Sequence, residues 1–288
     1  MTADSTERVR LSVAEARALA ESAMRGIGYD PEEARILADH VVDAALCGYE
    51  YSGLPKLLNV ADHPRFKAPR SPMRTLTETS VSVLLDGGNQ SGMLGMYYAT
   101  CAAIERAQLH GIALVGVNNI WMSGRSAYYV EMVARAGLIG IHTVAAPPMV
   151  APLGGAKAAL GTNPIAFGFP MDGDPLVIDL GTSAFMGTDL QFRQRLGIPL
   201  PEGVALDERG RPTTDGQASV TADRVARRQR SRREHARDGL RTRGRRERHG
   251  RCLSRCHRRQ LERRAHRDGA DAAGHGHRRR RVLEGTRR

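Results

Sequence analysis

The stretch Val81-Ser-Val-Leu-Leu-Asp-Gly-Gly-Asn-Gln-Ser-Gly-Met-Leu-Gly95 decides the fold. An apolar run over Val81–Leu85 reads as a short strand, and Met93–Gln108 reads as a helix. Gly87, Gly88, Gly92 and Gly95 lie between or just inside them. Strand, glycine loop and helix in this order form a setting in which a helix N-terminus can hold phosphate. The spacing, however, is not G-x-G-x-x-G, and no acidic residue follows about 20 positions on at a strand end. The segment therefore lacks the Rossmann fingerprint and reads as a tight turn between a strand and a helix.

Working outward, Ile112–Val117 and Leu138–Val144 read as strands, with a helix over Gly124–Ala136 between them. Ile165–Phe169 and Leu176–Leu180 read as strands around the turn Met171-Asp-Gly-Asp174, and Ala184–Leu196 as a helix. Upstream, Ser12 and Glu15 form an S-x-x-E capping box for a helix over residues 12–25, with Gly26 at its end. Asp30, Pro31 and Glu33 start a second helix that Gly48 ends. Residues 62–75 are rich in Pro and basic groups and read as a connector. Strands interleaved with helices place the chain in the α/β class, in its mixed α+β form. The expected division is a small helical subdomain over 1–75, a sheet domain over 76–218, and a tail over 219–288.

The tail is a different kind of polymer. Residues 1–223 hold 18 Lys+Arg against 24 Asp+Glu, whereas residues 224–288 hold 25 Arg, no Lys and 7 Asp+Glu. The +12 formal charge of the chain is thus a property of its last 65 residues. Clustered Arg suits a nucleic-acid-binding arm, and non-specific polyanion binding is expected of it. Yet residues 224–288 contain no Ile, Phe, Trp, Tyr or Met with which to stack on bases or build a core. Arg without Lys is also what a GC-rich gene yields when read out of frame. The tail reads as disordered low-complexity sequence. Cys252, Cys256 and His257 inside it have no foldable frame to make a four-ligand zinc site, so no metal is expected. Two scattered cysteines, Cys47 and Cys101, imply no disulfide framework. The polar N-terminus and the lack of an 18-residue apolar run point to a cytoplasmic protein with no membrane span.

Among candidate site residues, Thr162 and Asn163 lie between a glycine pair (Gly154, Gly155) and a strand, where they either bind a ligand or cap a turn. Asp179 ends an apolar strand before Gly181, Thr182 and Ser183, a place for chemistry and equally for a helix cap. His40, His63, His110 and His142 form no cluster and read as structural or surface groups.

Several segments taken together resemble the malate/L-lactate dehydrogenase family, which includes ureidoglycolate, sulfolactate and diketogulonate enzymes. They are Val41–Gly48, Asp86–Gly92, Ala136–Gly140, Ala151–Gly155, Leu160–Ile165, Val177–Ser183 and Leu206–Asp215, in family order. The resemblance implies a non-Rossmann, mixed-sheet nucleotide-binding domain. It also implies NAD or NADP as cofactor, a small 2-hydroxy or 2-oxo acid as substrate, and a homodimer. Carried over, Val177, Ile178, Asp179, Leu180, Gly181, Thr182 and Ser183 become the cofactor segment, with Thr162 and Asn163 beside it.

The departures from the family pattern fall at the catalytic corner. The family's Arg and Ser-His-Gly correspond here to Cys47-Gly-Tyr-Glu-Tyr-Ser-Gly53, with Cys47 at the Arg position and Ser52 at the His position. A second family His is absent from Asn119-Ile-Trp-Met-Ser-Gly124. Ser52 and Tyr51 are the expected catalytic replacements, with Arg125 as the positive charge for a carboxylate. A serine alone cannot act as general acid near pH 7. The pattern reads as a divergent subgroup whose last third is replaced by an out-of-frame translation, with little or no activity in the 288-residue chain. The alternatives are a nucleic-acid-binding protein with a basic arm and a non-catalytic family member.

Overall fold

The structure, a computed structural model, describes residues 9–216 and 220–222. All of these lie in the first of two compact units, Met1–Leu240; the second unit, Arg241–Arg288, lies outside the described residues. The expectation of a disordered tail over 219–288 concerns residues that, apart from 220–222, are likewise outside them.

Both N-terminal helices form as their caps dictate. In α1 (Val13–Gly26), Ser12 and Glu15 exchange the two bonds of the capping box. In α2 (Pro31–Leu46), the Asp30 carboxylate accepts the N–H groups of Glu32 and Glu33, each at 2.8 Å. Gly26 does not end α1 in the left-handed region; Gly28, at φ +97°, makes that turn. α2 is buried along most of its length, through Ile36, Leu37, Ala38, Val41 and Val42, and it packs against α1, α4 and α5. A 3-10 turn (Glu50–Ser52) and α3 (Lys56–Asp62) follow.

The glycine-rich segment is not a turn. β2 runs unbroken from Ser82 to Ser91, and α4 (Gly92–His110) begins at once. β2 pairs antiparallel with β1 (Arg74–Glu78) and parallel with β3 (Leu114–Trp121), with α4 as the crossover. The register of β2 and β3 slips between Asp86 and Gln90, so the glycines form an irregularity inside a strand. The cause is close approach. A Cβ on Gly87 would sit 2.1 Å from the Ile120 side chain, and one on Gly88, which has φ +60°, would sit 2.1 Å from the Ser71 carbonyl oxygen. Glycine here makes room for neighbouring chain.

α5 (Ser126–Arg135) leads into an antiparallel sheet of β4 (Gly140–Thr143), β6 (Ile165–Phe169) and β7 (Leu176–Leu180), with β6 in the middle. β5 (Val150–Ala151), β8 (Ala205–Leu206), β9 (Pro212–Thr213) and β10 (Val220–Ala222) form a small mixed sheet in the order β5-β10-β8-β9. α6 (Gly187–Leu196) packs on the Glu50–Ser52 turn. The result is an α/β fold with N-terminal helices and mixed, unclosed sheets, and the β2–α4–β3 unit carries no Rossmann loop. No helix among the described residues is long and apolar enough to cross a membrane.

Candidate active site

The corner around Arg125 is assembled from four elements. Gly124, at φ +79°, brings the chain so close to α2 that a Cβ there would lie 2.2 Å from His40 Nε2. The next residue, Arg125, donates its backbone N–H to that same Nε2 over 2.9 Å. His40 therefore carries its proton on Nδ1, a buried atom with no hydrogen-bond partner among the described residues. Burial, reinforced by the charges of Arg125 and Lys56, pushes the His40 pKa down to about 3, so the ring stays neutral at pH 7.

The Arg125 guanidinium is committed. It donates to Asp43, one turn further along α2 from His40, and both side chains are about nine-tenths buried. Glu131 lies 3.8 Å from it, and Arg135 pairs with that Glu131 at 2.9 Å and with Asp174 at 3.1 Å. The Tyr49 ring lies 5.9 Å from the guanidinium centre, and Tyr51 stands edge-on to Tyr49 with ring centroids 6.1 Å apart. Ser52 is buried at the end of the 3-10 turn, its N–H bonded to the Tyr49 carbonyl. Tyr49 thus stands between the Arg125 guanidinium and Tyr51, and Ser52 follows Tyr51 in the same 3-10 turn.

Sequence reasoning passed over Lys56. It is the first residue of α3, four positions after Ser52, and only 3% exposed. Among the described residues no carboxylate forms an ion pair with it. Burial pushes its pKa down to about 8. The one available signal was a lysine heading the apolar run Leu57, Leu58 and Val60, a position that a 3.6-residue period turns inward as readily as outward.

A second constellation lies at one end of the β4-β6-β7 sheet. The Thr162 carbonyl accepts both the N–H of Thr182, at 3.1 Å, and its hydroxyl, at 2.8 Å. Asn163 Oδ1 accepts the N–H of Ala146 at 2.9 Å. The Ser183 hydroxyl donates to the Phe185 carbonyl. Thr162, Asn163, Thr182 and Ser183 are thereby brought together, with Gly181 in the same turn. Val177, Ile178 and Leu180 lead up to them along β7. Asp179 points to the other side of the strand, where Oδ2 accepts the N–H of Ala127 at 2.9 Å. The cap is real but serves α5, 52 residues earlier, and not the helix that follows. It links β7 to the helix start two residues from Arg125. α6, which follows Ser183 and Phe185, packs on the turn that holds Tyr51 and Ser52. Both constellations are therefore tied to the same pair of helices.

This order of segments on this fold is that of a known group. A family described as malate/L-lactate dehydrogenase matches residues 11–227. The chain belongs to that family. The malate dehydrogenase of Pyrococcus abyssi is 37% identical over 196 residues, 65% of this chain and 52% of its own length. The ureidoglycolate dehydrogenase (NAD(+)) of Escherichia coli O157:H7 is 35% identical, over 68% of this chain and 57% of its own length. The (2R)-3-sulfolactate dehydrogenase (NADP(+)) of Chromohalobacter salexigens is 33% identical, over 75% and 65%. The structure of a malate/lactate dehydrogenase-like protein from E. coli superposes with a TM-score of 0.67 at 29% identity, over 76% of this chain and 64% of its own. The chain spans about half to two thirds of the length of the malate/L-lactate dehydrogenase relatives it matches.

Proposed function

We propose that residues 11–227 are the larger part of an NAD(P)-dependent oxidoreductase that moves a hydride between a nicotinamide cofactor and a small 2-hydroxy or 2-oxo acid. The observation that carries this reading is the family match over those residues, together with the tie from Asp179 to the start of α5 that joins the two constellations. The loop residues fit the nicotinamide end of a dinucleotide. β7 offers the apolar Ile178 and Leu180 on one face, with Val177 on the α5 side, and the turn beyond it offers the backbone and hydroxyl groups of Gly181, Thr182 and Ser183 beside Thr162 and Asn163. No charged side chain occurs in residues 161–169 or 180–188, which suits the neutral carboxamide end of the cofactor. When bound, the dinucleotide supplies or accepts the hydride.

The chain's own residues handle the substrate and the proton. Tyr51 and Ser52 present hydroxyls at the corner. Arg125 gives the corner its shape while Asp43 holds its charge. Lys56, whose pKa of about 8 leaves it mostly protonated at pH 7, holds a buried proton at the start of α3, four positions after Ser52 in the sequence.

We further infer that the Arg-rich sequence beyond residue 224 stands where an oxidoreductase of this family has its last third. Translating the other two frames of the gene beyond codon 215 tests this; the family resemblance implies a Gly-His-Lys-Gly-Tyr-Gly-like cofactor loop in that third, and two frames without a His-Lys-Gly-Tyr-Gly-like loop overturn the inference. The reading of the reaction is tested separately. A chain completed with that third is titrated with NADH and NADPH by fluorescence, then assayed with a panel of 2-oxo acids. Neither cofactor binding nor turnover would overturn the oxidoreductase reading and leave a non-catalytic member.

A further inference from the structure

The ion pairs around the Glu50–Ser52 turn leave one cation over. Asp43 and Glu131 hold Arg125, and Glu131 and Asp174 hold Arg135. On α6, which packs on that turn, Arg193 pairs with Asp189 at 3.4 Å and Arg195 with Asp62 at 2.6 Å. Lys56 has no such partner among the described residues, although it is only 3% exposed. It is nevertheless tied to the corner. Its N–H bonds to the carbonyl of Gly53, the residue after Ser52, at 2.9 Å. Gly53 in turn lies so close to α2 that a Cβ there would meet the Ala45 side chain at 3.1 Å. Burial depresses the His40 pKa, and the charges of Arg125 and Lys56 add to it, so Lys56 lies within electrostatic reach of that ring.

The other charge in the turn is negative. Glu50 stands between Tyr49 and Tyr51, and the pKa of Asp189 is raised by burial and by the charge of Glu50. A charge taken out of water without a counter-charge is costly. One ammonium offsets one carboxylate; a second acidic group on the same ligand would meet Glu50 and arginines that are already paired. We propose that this site selects a 2-hydroxy or 2-oxo acid with a single negative charge, Lys56 being the counter-ion of its carboxylate. The uncharged remainder lies towards the Tyr49 and Tyr51 rings. An ammonium has three N–H groups, so holding the carboxylate leaves Lys56 others for the neighbouring carbonyl or hydroxyl oxygen. This selection rests on the oxidoreductase reading of the same corner.

Ligand binding to the 288-residue chain, without cofactor, tests it. Calorimetric titration at pH 7 and one fixed ionic strength compares 2-oxoisocaproate, a monoanion with an apolar chain, with malate, a dianion. The monoanion is expected to bind at least about tenfold more tightly. Lys56→Arg keeps that binding and Lys56→Met loses it, with the helix signal unchanged in both. Glu50→Gln, at an exposed position, lifts the repulsion, so malate gains at least about threefold and the monoanion does not. Malate bound as tightly as the monoanion overturns the proposal, as does the absence of saturable binding by either. Monoanion binding that survives Lys56→Met, or a Glu50→Gln variant that gains nothing for malate, also overturns it. The oxidoreductase reading falls separately, on a completed chain that neither binds a nicotinamide cofactor nor turns over; a monoanion bound but never reduced would sink that reading and leave the charge selection standing.

Discussion

His40 and Arg125, 85 positions apart in sequence, meet through one hydrogen bond from backbone N–H to imidazole Nε2 at 2.9 Å. Only Gly124 allows it, because any side chain there would collide with the ring and strain a left-handed backbone. Gly124→Ala is therefore expected to destabilise the fold by roughly 2 kcal/mol or more. Thermal denaturation beside Gly26→Ala, a position with open space around it, checks it; equal melting temperatures for the two would refute the account.

Asp43 neutralises a guanidinium that is almost wholly buried. Removing one partner of such a pair strands the other charge, at a cost of about 3 kcal/mol. Asp43→Asn should show that loss in urea unfolding, softened by Glu131 at 3.8 Å. The double variant Asp43→Leu with Arg125→Met should recover most of it. A double variant no more stable than Asp43→Asn would mean that the pair is not the source of the effect.

Much of this was legible in the chain. The capping boxes at Ser12 and Asp30, and the hairpin Ile165–Phe169/Leu176–Leu180 around Asp172-Gly, form with the residues expected, because caps, period-two alternation and turn residues are local signals. The run from Gly87 to Gly92 misleads for a physical reason. Its glycines answer to Ile120, Ser71 and Ser123, contacts that no local pattern reveals. β5, β8, β9 and β10 are two or three residues long, too short to show a period. At the candidate site, Thr162, Asn163, Thr182 and Ser183 could be named from the sequence. That Asp179 caps a helix 52 residues back, and that Lys56 turns inward, depend on packing and were not legible.

Acid should weaken the protein through two histidines. Burial depresses the pKa of His40 to about 3 and that of His142 to about 4, both from 6.5. Above pH 6.5 both states are neutral and nothing is lost. As pH falls from 6.5 towards 4, the unfolded chain takes up protons that the folded one refuses, so stability falls, by roughly 3 kcal/mol for each histidine. Neither ring nitrogen of His142 has a hydrogen-bond partner among the described residues, so His142→Leu should flatten part of this slope. Urea midpoints at pH 7 and pH 5 measure it; identical slopes for wild type and His142→Leu would show that His142 is not a source.

Lys56 should behave in the opposite pH range, and it separates a structural role from a functional one. Its pKa falls from 10.5 to about 8 because burial penalises the ammonium. Below pH 8 both states are charged and the folded state bears the whole penalty. Between 8 and 10.5 the folded chain releases the proton that the unfolded chain keeps, so stability rises with pH across that window. Lys56→Met removes the penalty and should raise stability at pH 7 by roughly 1–3 kcal/mol while abolishing the rise. In the completed enzyme, the same variant should lower kcat by at least about a hundredfold and remove the limb of the pH profile near 8. A stabilised Lys56→Met with undiminished kcat would leave Lys56 without a part in proton transfer and return that role to Tyr51 and Ser52.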